Sequence, residues 1–279
     1  MAHLVLIAAS SHAPMMAAMP DSAPPAQRAT FFEALGDLRN RVRASHVDVL
    51  VVVSNEHFTN FFLDNFPPLC VGIGEGHVGP AEPWLGMTRG PVPGHQGLAT
   101  HLLHELTDAG IEPAFSHRLT LDHGIMTVAR QLDPAGDLPI VPVIHNCAVA
   151  PMPTLRRALD LGAALAGAIE RYPSDLRVAL VGTGGLSHAV GVPDVGEIDE
   201  QFDRWFLAAL ASGDLDDVLS LPDDELELAG NGAHEIRSWL VAAGAAAATG
   251  RPRADVLGYA AVQPWITGMG VAVWDRVGS

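Results

Sequence analysis

Short aliphatic runs, each followed by a stretch of helical periodicity, constrain this chain more than any other feature. The runs fall at Leu4 to Ala9, Val47 to Val53, Leu69 to Ile73, Leu138 to Ile144, Leu176 to Val181 and Val256 to Ala261. They lack the polar alternation of a half-exposed strand, so most are predicted to be buried on both faces. Helices are predicted between them at about Ala26 to Ala44, Gln96 to Ala109, Gly124 to Leu132, Thr154 to Arg171, Glu197 to Ala211 and His234 to Ala248. This alternation predicts the α/β class, with a wound, mostly parallel or mixed sheet and helices on both faces. Neither an internal repeat nor a charged linker interrupts it, so residues 1–279 are expected to form a single domain. Met1 to Ala9 has no basic residue ahead of its apolar run, which is too short for a leader and is expected to be the first strand.

In an open α/β sheet, ligands bind outside the carboxyl ends of the strands. Four of the thirteen histidines fall there: His12 after the first strand, His57 after the second, His145 at the end of the Leu138 strand and His188 after the Leu176 strand. They are expected to converge on one mouth. His46, His101 and His104 lie in helical, partly polar patterns and are expected on solvated faces. Imidazole suits iron, zinc, copper and nickel alike, so the histidines do not name a metal. For a carboxylate ligand, Glu56 beside His57 is expected to point the other way on an extended segment, Asp122 precedes His123 in a predicted loop, and Glu235 opens the helix His234 to Ala248; by pattern alone Glu235 is an ordinary acidic residue of a first helical turn. Two histidines and one carboxylate on one face leave open positions, the arrangement of iron(II) enzymes that bind substrate and O2 together.

Composition removes several alternatives. All sixteen basic residues are arginine, so Schiff-base chemistry and a lysine-bearing phosphate loop are excluded. A net charge of −16 opposes binding to nucleic acid or anionic membrane, leaving a small-molecule partner. No apolar stretch is long enough to span a bilayer. Cys70 and Cys147 sit in apolar contexts far apart, as expected of buried thiols in a reducing cytoplasm. Gly74 to Gly94, with Pro80, Pro83, Pro91 and Pro93, is predicted as an irregular functional loop of ~20 residues lying over the active site.

The motifs Ser11-His12-Ala13-Pro14, Ser54-Asn55-Glu56-His57-Phe58, Leu121-Asp122-His123-Gly124 and Gly182-Thr183-Gly184-Gly185-Leu186-Ser187-His188, in this order, together resemble the class III extradiol ring-cleavage dioxygenases. The likeness runs from His3 to about Gly270. It implies that Fe(II) is the cofactor and that His12, His57 and Glu235 bind it, since His234-Glu235-Ile236-Arg237-Ser238-Trp239 resembles the family's late Glu segment. It further implies that His188 is the catalytic base and His123 the acid or oxygen-handling residue. Asn55 and Ser187 are expected at the substrate. A carboxylate on the ring would call for Arg89 or Arg118. The implied reaction is extradiol cleavage of a catechol with O2, giving a 2-hydroxymuconic semialdehyde-type acid. The resemblance also implies a homo-oligomer and, in some members, a small helical companion subunit. Glu56 stands where the family usually has Asp.

Two other readings compete. Gly185-Leu186-Ser187-His188-Ala189 nearly matches the nucleophile elbow of a serine hydrolase, with Asp223 or Asp224 and His234 in the expected order, but its fifth residue fails. A non-catalytic binding protein on the same scaffold would need no iron. Gly182-Thr183-Gly184 lacks the third glycine of a dinucleotide fingerprint.

Overall fold

Aliphatic runs extend and pair, and the computed structural model, which describes residues 1–275, orders them into ten strands. These are β1 (His3–Ser10), β2 (Val49–Asn55), β3 (Leu69–Gly72), β4 (Gly76–Gly79), β5 (Gly90–Pro93), β6 (Ala114–Ser116), β7 (Ile140–His145), β8 (Arg177–Thr183), β9 (Asp255–Val262) and β10 (Thr267–Trp274). The helices are α1 (Pro14–Ala18), α2 (Pro25–Ala44), α3 (Gln96–Asp108), α4 (His123–Leu132), α5 (Leu155–Arg171), α6 (Glu200–Ser212), α7 (Asp216–Ser220), α8 (Asp223–Leu226) and α9 (Ile236–Ala248). Eight strands form one mixed sheet in the order β6-β3-β7-β2-β8-β1-β10-β9. Its centre, β7-β2-β8-β1, is parallel, while β10 runs antiparallel to both β1 and β9. Every residue of β2 is buried, as a strand covered on both faces requires.

Helices α3, α5, α6 and α9 cover one face, with Leu102, Leu165, Phe206 and Trp239 in its core; α2 and α4 cover the other around Phe31, Leu35 and Ile125. The alanine-rich α9 is buried nearly all round because α5 crosses it backbone to backbone. A Cβ on Gly162 would stand 1.9 Å from the Val241 carbonyl oxygen, and one on Gly244 would stand 1.9 Å from that of Leu159. Among the described residues, no helix is long and apolar enough to cross a membrane.

The sheet, its helices and the strand-end position of the site agree with the sequence expectation. Three things differ. β10 was not expected, since Gly268 and Gly270 dilute its apolar pattern; there a Cβ would strike Asp203 or crowd Leu186 and Trp239. The segment from Gly74 to Gly94 is not wholly irregular, because β4 and β5 pair as a small hairpin. It also stands beside the site rather than over it, tied to the approach to α4 by Leu121 N–H to Val78 O (2.7 Å) and Ala81 N–H to Leu121 O (2.8 Å).

Candidate metal centre and active-site cavity

Strands β2, β8 and β1 are neighbours and parallel, so the segments leaving their carboxyl ends emerge side by side. They deliver His57, the run from Gly184 to His188, and His12. Helix α4 contributes His123 from one layer, and the turn before α9 contributes Glu235 from the other. The result is a cavity of about 590 Å³ lined by His12, His57, His123, His188, Glu235 and Asn55, among others.

At its floor three side chains converge. His12 Nε2 lies 3.3 Å from His57 Nε2 and 3.5 Å from Glu235 Oε2, and His57 Nε2 lies 3.2 Å from Glu235 Oε1. The tautomer of His57 is set behind it: Nδ1 stands 3.0 Å from Asp122 Oδ2, and a carboxylate can only accept, so Nδ1 carries the hydrogen. Nε2 faces Glu235 Oε1, so a positive charge belongs between them, supplied by a proton on Nε2 or by a metal ion in its place. The electrostatics agree. Burial opposes the charged form of each, yet the carboxylates of Asp122 and Glu235 hold His57 well above its ordinary value. Glu235, likewise opposed by burial, is held well below its own by the histidines around it, His57 hydrogen-bonded to it among them. Burial pushes His12 down to about 3, which keeps its imidazole neutral and free to ligate.

The nitrogens of His12, His57 and His123 all lie within 4.8 Å of one another, a cluster consistent with a non-haem Fe(II) site. His123 is also held from behind. Its Nδ1 donates to Glu82 Oε1 at 2.6 Å, and its backbone N–H donates to the same oxygen at 3.1 Å. Burial alone would raise Glu82, but the hydrogen bond from His123 keeps it below its ordinary value. Glu82 comes from the Pro/Gly-rich segment, where nothing in the local pattern marks it. Asp122 is not a ligand: its second oxygen accepts from Gly124 N–H at 2.9 Å and caps α4, so one carboxylate starts the helix and orients His57. The Asp-x-Gly start of α4 was the signal for that role. Asp122→Asn keeps the cap and loses the ionic hold on His57; Fe(II) affinity is expected to fall about 10–100-fold, read by anaerobic titration, with the fold intact.

Glu56 is not a ligand either. It turns back into its own loop, accepting from Asn60 N–H (2.6 Å), Asn60 Nδ2 (3.2 Å) and Thr59 N–H. The glycines of the β8 motif serve Glu235. Gly185 N–H donates to Glu235 Oε2 at 2.6 Å, and Gly184, at φ +143°, has no room for a Cβ against the Glu235 side chain. Asn55 donates to Glu235 Oε1 (3.2 Å) and accepts from Cys147 N–H (3.0 Å), so it steadies the carboxylate while lining the cavity. His188 Nδ1 donates to the Leu186 carbonyl at 3.0 Å, which leaves Nε2 with its lone pair. The ring lies on Gly232, where a Cβ would come within 2.0 Å of Nε2.

Several expected site residues lie elsewhere. His145 is still within its strand, one place further from β8, and lines a separate cavity beside α5. Arg89 donates to the carbonyl of Pro80 (2.7 Å), Arg118 is exposed, and neither lines the site. Ser187 is fully buried; its N–H donates to Asp203 Oδ1 (2.8 Å) and its Oγ accepts from Asp199 N–H (2.8 Å). It touches neither the cavity nor a histidine base, which removes the hydrolase reading. Burial raises Asp203 to about 6 against hydrogen bonds from Tyr259 and Ser187. Its stabilising contribution is therefore full below its unfolded value and lost as pH rises through about 6. Asp203→Asn stays neutral. Its advantage over the native chain is expected to grow between pH 4 and 7, towards about 3 kcal/mol, in urea midpoints measured across that range.

Residues 6–270 match the family described as the catalytic LigB subunit of aromatic ring-opening dioxygenase. The chain is 34% identical over 276 residues to a 2,3-dihydroxyphenylpropionate/2,3-dihydroxicinnamic acid 1,2-dioxygenase of Cupriavidus necator, covering 82% of this chain and 86% of that protein. A Rhodococcus protein of the same name is 28% identical, covering 96% of this chain and 97% of its own. The crystal structure of an uncharacterized Escherichia coli K12 protein shares the fold, with a TM-score of 0.60 at 16% identity over 96% of this chain and 99% of its own. Motif order, the convergence of the histidines and the matched span lead to one conclusion: the chain belongs to the family of catalytic subunits of aromatic ring-opening dioxygenases.

Proposed function

We propose that this protein opens a catechol ring beside its diol, using O2 and non-haem Fe(II), to give a 2-hydroxymuconic semialdehyde-type acid, with residues 1–279 acting as one catalytic domain. The observation that carries this reading is the convergence of two imidazole nitrogens and a carboxylate below two further histidines in one cavity. His12, His57 and Glu235 are the iron ligands in this reading. Glu235 is preferred to His123 as the third because its oxygens stand 3.2 and 3.5 Å from the two ligand nitrogens, whereas His123 is drawn towards Glu82. Fe(II) held by these residues would supply the chemistry that brings a catechol and O2 together.

The other side chains handle protons. His188, its Nδ1 engaged by the Leu186 carbonyl, turns Nε2 to the substrate and takes a phenolic proton, which makes the ring electron-rich. His123, its ring oriented by the Glu82 carboxylate, is placed to deliver a proton at a later step. Cys70 and Cys147, both free and buried, support a reducing cytoplasm as its place of action. Exposed Phe58, Phe62 and Leu63 on the loop after β2 support a homo-oligomer or a small companion subunit there.

The test is anaerobic reconstitution with Fe(II), followed by oxygen-uptake assays on a panel of catechols while yellow ring-fission products are recorded. Uptake and colour with at least one catechol are expected. Neither with any catechol would overturn the reading.

A further inference from the structure

Substituent selectivity in this cavity rests on which charges face it. Among the described residues lining it there is no arginine, and the chain contains no lysine. The carboxylates that line it are Glu56, Glu227 and Glu235. Glu56 is satisfied by its own loop and Glu235 belongs to the metal centre, which leaves Glu227, exposed at the rim, to set the charge met by an incoming substituent. Arg237, which bonds the lining residue His234, is wholly buried and committed: it donates to Pro153 O (2.7 Å), to His234 Nδ1 (2.8 Å) and to Asp223. A guanidinium only donates, so His234 Nδ1 is an acceptor and its Nε2 carries the hydrogen. His234 lines the cavity and offers a substituent one N–H donor. The rest of the wall includes Phe58, Met152, Val190 and Ile266. A volume of about 590 Å³ lies within the ~300–1,000 Å³ that accommodates drug-sized ligands, leaving room for a substituent beyond the ring.

We propose that the substrate is a catechol with an uncharged, largely apolar substituent, selected against carboxylate-bearing catechols by the acidic rim at Glu227 and the absence of arginine and lysine from the wall. A carboxylate entering this site exchanges water for apolar wall and a like charge. An amide, ester or ketone keeps the same shape, pays no such penalty and can accept from His234. The relatives at 34% and 28% identity are named for a propionate and a cinnamic acid, so the inference separates this chain from them within the same chemistry. It rests on the ring-opening reading.

The experiment compares 3-(2,3-dihydroxyphenyl)propionate with its primary amide, which differs mainly in charge, using the Fe(II)-reconstituted protein. The amide is expected to have a kcat/KM about tenfold or more above that of the acid. Equal values, or a preference for the acid, overturn the proposal. In Glu227→Gln the ratio is expected to narrow several-fold through a gain for the acid; an unchanged ratio removes Glu227 from the account. Anaerobic calorimetry of both compounds keeps the two readings apart. No turnover of either compound or of any other catechol strikes the ring-opening reading, while tighter binding of the amide than of the acid still supports the charge preference and the reverse order overturns it.

Discussion

Glu235→Ala is expected to abolish stable iron binding and to lower ring cleavage by more than about 100-fold. Loss of a residue that merely orients a ligand costs about 10–100-fold in metal affinity or activity, and removal of a ligand should exceed that. The carboxylate has a second duty. It accepts from Gly185 N–H at 2.6 Å and from Asn55 Nδ2 at 3.2 Å, and a buried donor left unpaired costs about 1–3 kcal/mol. The alanine variant should therefore also melt earlier without metal, so Glu235→Gln, which keeps an acceptor and loses the charge, separates the two effects. Iron per chain, measured after anaerobic loading and gel filtration, is the deciding quantity. Full retention in both variants would move the third ligand to His123, whose ring lies 4.2 Å from that of His57, centre to centre.

His188→Asn should leave iron binding intact and lower kcat by about 10²–10⁴-fold, the usual worth of a positioned base. Its Nδ1–H is spent on the Leu186 carbonyl and its ring rests on Gly232, so orientation and tautomer are both set before substrate arrives. Gly232→Ala tests the same point from outside the ring. A methyl group within 2.0 Å of Nε2 must displace the imidazole, and kcat should fall with iron retained. Native turnover in His188→Asn would assign the base elsewhere, with His123 next in line.

Much of this protein is written locally. Aliphatic runs such as Val49 to Val53 and periodic segments such as Leu155 to Arg171 form strands and helices on their own periodicity, and histidines just past strands must meet at the sheet's carboxyl edge because parallel neighbours end there. His12, His57 and His188 were legible for that reason. His145 was misplaced by the same rule, since it lies within β7 and faces the α5 layer. Ser187 matched a nucleophile elbow in its neighbours yet is fully buried, its hydroxyl accepting from Asp199 N–H. Glu82 carries no local signal, being one acid in a proline-rich segment that docks beside α4.

By itself, then, the sequence determined the α/β class, the edge where chemistry occurs and the histidines that reach it, because these follow from short-range periodicity. The tertiary structure decided what each histidine can do. The orientation of His57 depends on Asp122, 65 residues away; the hold on His123 depends on Glu82, 41 residues away; and Glu235 meets His57 across 178 residues. Hydrogen bonds of such long separation form only once the layers close on the sheet, and they fix the orientation of the histidines and Glu235 in one cavity.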